Sequence, residues 1–198
     1  MEVVLNQEQT RELAQLYTEM EVAYDRIADK IRLKCSDCDD NCCDSFFHHH
    51  THCEWAYLWQ GLRELPPLEL AEVQQRAQNY VAEIPGRDTR STRHLPCPLV
   101  KDGRCVLYQH RLMICRLHGV PSLLRRPDGQ RLNFPGCFRS QLICTEQPAL
   151  LGYTVDRTPF LVRLARLEKA LVEILPGQVL RPRLTIAEMI VNGPPTVA

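Results

Sequence analysis

The residues best suited to chemistry are four cysteines within nine positions, Cys35-x2-Cys38-x3-Cys42-Cys43. Short spacings let several sulfurs from one loop converge on one point, which thiolate ligation of a metal requires. Ser36, Asp37, Asp39, Asp40 and Asn41 between them are turn formers that help the backbone fold round such a point. Adjacent side chains tend to diverge, so the Cys42-Cys43 pair calls for further ligands from elsewhere. A second group offers them: Cys97, Cys105, Cys115 and Cys137. Structural zinc usually shows paired Cys-x2-Cys knuckles. Only one such knuckle occurs here, and the spacings of two and three fit ligands of an iron–sulfur cluster. A cluster is therefore the first expectation, and one or two zinc or iron ions the second. The radical-SAM order is the reverse of this spacing. Four cysteines in nine residues are not a core pattern, which sets plain burial aside. Cys53 and Cys144 lie in helical or apolar stretches and are expected to be buried.

Other residues bear on the same chemistry. Arg104, Arg111 and Arg116 flank three candidate ligands, where they would offset thiolate charge and donate hydrogen bonds to sulfur. His48, His49, His50 and His52 are expected first as a solvated loop. An accessory metal site is the second reading, with His52 as a donor behind the ligands. Asp37, Asp39, Asp40 and Asp44 lack the alternation and distal glutamate of a hard-cation loop. No nucleophile motif, phosphate loop or acid–base carboxylate pair stands out, so the chain carries no catalytic motif beyond this centre.

Ten cysteines in 198 residues fall below the roughly 8–10% of disulfide-built miniproteins. The first residues have neither a basic start nor a long apolar run, so no secretory signal is expected there. A cytoplasmic location follows as the expectation, and there clustered cysteines serve metal or redox work. No stretch approaches the ~18 apolar residues of a membrane span. The formal net charge of zero hides a split. Residues 1–84 carry 7 basic and 16 acidic side chains, and residues 85–140 carry 11 and 3. A uniformly basic nucleic-acid binder is excluded. The basic stretch also lacks interleaved aromatics, so the expected partner is a protein or redox partner rather than nucleic acid or membrane.

The elements that must position these residues are mostly helices. Residues 6–34 place Leu13, Leu16, Tyr17, Met20, Tyr24, Ile27 and Ile31 on one face of a long helix, with Asn6 and Gln9 at its start. Thr51-His-Cys-Glu54 reads as a capping box opening a second helix with Trp55, Leu58, Trp59 and Leu62 inward. Pro67 opens a third, whose stripe is Leu70, Val73, Ala77, Tyr80, Val81 and Ile84. Arg87 to His94 reads as a surface loop. Hairpins are expected around Asp102-Gly103 and, over Ser122 to Phe134, around Pro127-Asp128-Gly129. A helix follows Thr158, and a short last one begins at Thr185 with Glu188 as capping partner.

Taken together, Cys35-x2-Cys38-x3-Cys42-Cys43, Cys97-Pro-Leu, Cys105-Val-Leu-Tyr108 and Arg111-x3-Cys115-Arg116 resemble the YkgJ family, the CxxCxxCC or zinc/iron-chelating domain family. The match covers about Lys34 to Arg116, and Leu112 stands where that family usually has proline. The resemblance implies metal chelation by Cys35, Cys38, Cys42, Cys43, Cys97, Cys105 and Cys115. Cys137, in a Pro-Gly-Cys turn, is the eighth candidate. Related cysteine sets accompany proteins described as lysine methylases, but no glycine-rich loop for a methyl donor is present. The expected fold is mainly α with small β-hairpins (α+β), one domain over 1–198. Its metal-binding core would span 34–139, with an N-terminal helix over 1–33 and C-terminal helices over 158–191. The alternatives are a zinc-stabilised interaction module and a protein-modifying enzyme.

Overall fold

A computed structural model describes residues 1–35, 42–84, 95–175 and 180–197. The chain is mainly helical, with a two-stranded and a three-stranded sheet. Helices α1 (Gln7–Ile31), α2 (His52–Glu64) and α3 (Pro67–Glu83) come first. Strands β1 (Val100–Lys101) and β2 (Arg104–Cys105) follow, then α4 (Met113–Leu117), β3 (Ser122–Arg125), β4 (Arg131–Phe134) and α5 (Phe138–Glu146). Strand β5 (Val155–Asp156), α6 (Thr158–Glu173) and α7 (Ile186–Val191) complete the order. Two compact units emerge. Unit 1 is Met1–Glu8, Cys43–Leu112 and Glu168–Ala198; unit 2 is Gln9–Cys42 and Met113–Leu167.

Unit 1 is built on α2, α3 and α7. Its core joins Leu58, Trp59 and Leu62 of α2 to Val73 and Ala77 of α3 and to Met189 and Ile190 of α7. Val81 of the expected α3 stripe is exposed instead. The indoles of Trp55 and Trp59 both donate to the Met189 carbonyl at 3.0 Å, and Trp55 also donates to Gly193 at 2.9 Å. They thus satisfy carbonyls that the end of α7 leaves unpaired. At the other end of α7 the expected capping box forms: the Thr185 hydroxyl accepts the Glu188 N–H at 3.2 Å, and Glu188 accepts the Thr185 N–H at 2.8 Å.

The box expected at α2 does not form. Thr51 occupies the cap position, but its hydroxyl donates to the Glu54 carboxylate at 2.8 Å. The leading N–H groups of His52 and Cys53 go to Glu168 of α6, at 2.9 and 3.0 Å. A carboxylate is the stronger acceptor at the positive end of a helix, so Glu168 takes the place of the threonine.

In unit 2 the expected face of α1 is buried at Leu13, Leu16, Tyr17, Met20, Ile27 and Ile31, while Tyr24 is half-buried. The helix stops three residues before position 34, in a Schellman turn. Leu33 N–H reaches the Ala28 carbonyl at 2.8 Å and Arg32 N–H reaches Asp29 at 3.1 Å. Arg32 holds the left-handed position at φ 56° that glycine usually fills. The hairpin β3–β4 pairs Ser122 with Phe134 through Arg125 with Arg131, as expected. Strand β5 adds a parallel edge, Ser122 opposite Val155, that two residues of sequence do not announce.

Candidate metal centre

In unit 1 the two cysteine groups meet through their backbones. Cys42–Asp44 forms a single 3-10 turn, and the Cys43 carbonyl accepts the Cys97 N–H at 2.8 Å. The Cys97 carbonyl accepts the Val100 N–H at 2.9 Å, closing a turn over Cys97-Pro98-Leu99. Val100 pairs with Cys105 across the β1–β2 hairpin, whose turn has Asp102 at φ 51° and Gly103 at φ 74°. Positive φ at both residues is what a two-residue hairpin turn needs, and it carries Cys105 back beside the Cys97 turn. Arg76 of α3 fixes the same turn by donating to the Pro98 carbonyl at 2.8 Å. Cys97 and Cys105 are half-buried and pack on the apolar core. Burial pushes the Tyr80 phenol up, and negative charge at Cys97, Glu188 and Asp44 adds to the rise. An open hollow of about 430 Å³ beside the hairpin is lined by Lys101, Asp102, Arg104, Cys105 and Val106.

Unit 2 holds Cys35, Cys115 and Cys137. The Schellman turn ending α1 brings Cys35 back alongside its own helix, where its sulfur lies 3.8 Å from the Tyr24 hydroxyl. Cys115 is in α4, and Cys137 caps α5. The Cys137 N–H donates to the Gly119 carbonyl at 3.1 Å. Gly136 just before it has φ 85°, and a Cβ there would lie 2.7 Å from the same carbonyl. Only glycine allows this approach.

The three arginines proposed around the ligands differ. Arg104 is exposed at the rim of the hollow. Arg111 lies over the Tyr108 ring at 3.6 Å. Arg116 is buried, with its guanidinium paired to Glu21 at 2.5 Å and set over the Tyr17 ring at 4.4 Å. Its charge is thus met by a carboxylate of α1.

Cys53 and Cys144 are buried, as expected, and burial pushes the Cys53 thiol well above its ordinary value. The histidines depart from the expectation of a solvated loop. His49 pairs by backbone with Leu184 in both directions, at 2.7 and 3.1 Å, and is 2% exposed. His52 is buried with Nδ1 2.8 Å from Glu168. Chain segments of unit 1 that lie over 100 residues away in sequence cover them. Local polarity could not foretell this.

Cys38 and the Cys42 side chain lie outside the described residues, as do Arg87 to His94. Among the described residues no three His, Cys, Asp or Glu side chains are gathered closely enough to hold a metal ion. In unit 1 the backbone nonetheless joins Cys43 to Cys97 and sets Cys105 beside them through the hairpin. Sequence reasoning missed Tyr24, read only as part of an apolar stripe, and Gly119. It also missed Glu168, which has the polar spacing of any surface position on α6.

No helix among the described residues is long and apolar enough to cross a membrane. No family model, no curated protein and no solved structure matches the chain.

Proposed function

We propose that the chain is a metal-binding protein of the YkgJ type. An iron–sulfur cluster is the favoured occupant, and zinc or iron ions the alternative. The ligands would come from Cys35, Cys38, Cys42, Cys43, Cys97, Cys105, Cys115 and Cys137. The observation that most supports this reading is the bond from the Cys97 N–H to the Cys43 carbonyl. It ties the tight cysteine loop to the second cysteine group across 54 residues of sequence, in a chain whose other two cysteines are buried. Thiols that stay only half-buried at such a junction are suited to ligation. A redox-active cluster would work with a protein redox partner in the cytoplasm. If the occupant is zinc, the chain is an interaction module whose loop the metal folds. The packing of Cys97 and Cys105 against the core favours that second reading, since structural zinc sites are closed.

The test is anaerobic purification followed by metal and acid-labile sulfide analysis with a visible spectrum. A cluster gives iron, sulfide and colour that bleaches on reduction; zinc gives stoichiometric metal without colour. A folded, colourless protein free of metal refutes the proposal.

A further inference from the structure

We infer that Tyr24 is a positioning residue of this metal centre, its phenol hydroxyl donating to the Cys35 sulfur. The inference rests on the metal reading above. Tyr24 Oη lies 3.8 Å from Cys35 Sγ. The ring is seated against Gly119: a Cβ at that position would stand 2.2 Å from Tyr24 Oη and 3.0 Å from two ring carbons. Residue 119 must therefore lack a side chain for the hydroxyl to reach the sulfur. That same glycine accepts the Cys137 N–H at 3.1 Å. It also follows α4, which carries Cys115, by two residues. Tyr24 thus lies against both Cys35 and Gly119, the residue whose carbonyl accepts the Cys137 N–H.

The apolar stripe of α1 does not call for a hydroxyl here. Its neighbours Met20 and Ile27 are buried hydrophobes, and phenylalanine would serve the stripe as well as tyrosine. The hydroxyl adds a polar group that reaches the Cys35 sulfur. Donors behind metal ligands orient them, and their loss typically weakens metal binding 10- to 100-fold.

The experiment compares the full-length wild-type chain with Tyr24→Phe. Zinc ion is the probe, titrated against a chromogenic chelator, and urea unfolding of both metal-free proteins runs in parallel. The expected result is unchanged zinc stoichiometry, a 10- to 100-fold weaker zinc affinity and an unchanged urea midpoint. Gly119→Ala, which displaces the hydroxyl without deleting it, is expected to show the same loss. If that variant fails to fold, Tyr24→Phe alone decides. Wild type that binds zinc while Tyr24→Phe binds it equally well overturns this inference and leaves the metal reading standing. An affinity loss matched by a lower urea midpoint also overturns it, because Tyr24 is then a packing residue. Wild type that takes up no zinc, iron or cluster overturns both.

Discussion

Replacing Glu168 by glutamine tests how α2 is held. The Glu168 carboxylate accepts three bonds: His52 N–H at 2.9 Å, Cys53 N–H at 3.0 Å and His52 Nδ1 at 2.8 Å. Glutamine offers one carbonyl oxygen and no charge, so at least one donor is orphaned. Loss of an N-cap acceptor costs about 0.5–2 kcal/mol. A bond to a charged group contributes about 1.5–3 kcal/mol. Bonds to one carboxylate are not additive, so the expected loss is about 2–4 kcal/mol. For a urea slope of about 2 kcal/mol per M, the middle of the usual range, this lowers the midpoint by roughly 1–2 M. Both tryptophans lie on α2, so their fluorescence reads the affected region directly. The pH dependence gives a second check. Burial pushes the Glu168 carboxyl up, but the bonds from the His52 side chain and from the His52 and Cys53 N–H groups outweigh it. The folded value therefore lies below the ordinary one. A carboxylate depressed in this way stabilises the fold above its unfolded pKa, about 4.3, and that stability is lost as pH falls through the lower folded value. The gap between wild type and Glu168→Gln should be full at pH 7 and shrink below about pH 4. Equal midpoints at pH 7, or a gap that persists unchanged to pH 3, would refute the account.

Burial holds the His49 imidazole below its ordinary pKa, with Glu54 opposing and His50 and His48 reinforcing the shift. Its neutral form is therefore favoured in the fold, and stability should fall as pH drops below about 6.5. His49→Leu should flatten the decline of the urea midpoint between pH 7 and 5; an unchanged slope assigns that decline to other groups. Gly61→Ala places a Cβ 2.4 Å from His110 Cγ, in a ring already stacked on Tyr57 at 4.7 Å. Overpacking of this kind costs about 1–3 kcal/mol, and a thermal melt indistinguishable from wild type would contradict the packing. Cys38→Ser and Cys42→Ser should each lower metal content in protein purified anaerobically, and wild-type content in either variant removes that residue from the ligand set.

Periodicity and cap chemistry made the main helices and both hairpins legible, because each has a strong local signal. The α7 box, Thr185 with Glu188, is complete within four residues and formed as read. The α2 box has the same letters and did not form, since a carboxylate 116 residues away outcompeted Thr51. The end of α1 was overrun by three residues because its stop signal is an arginine in a glycine position. Short α4 and α5 were not foreseen; five and nine residues are too few to show a clear periodicity. The burial of His49 and His52 was invisible for the same reason as Glu168: the covering residues are distant in sequence. The candidate cysteines were legible by type and spacing. The backbone bonds that tie Cys43 to Cys97 and Gly119 to Cys137 depend on tertiary structure alone.

The interleaving of the two units sets an order of events during synthesis. Unit 1 draws on three separated stretches, the last beginning at Glu168. On a ribosome adding about 5–20 residues per second, α2 is complete for roughly 5–21 s before the glutamate that caps it is made. During that interval the two indoles lack the α7 carbonyls they will bind, and Cys43, Cys97 and Cys105 lack their finished framework. Such long-range closure is slow to nucleate. The nascent chain thus passes through a stage in which Cys43, Cys97 and Cys105 have all been made while the last segment that completes their unit has not, so the order of the sequence delays the closing of that framework until the C-terminal stretch emerges.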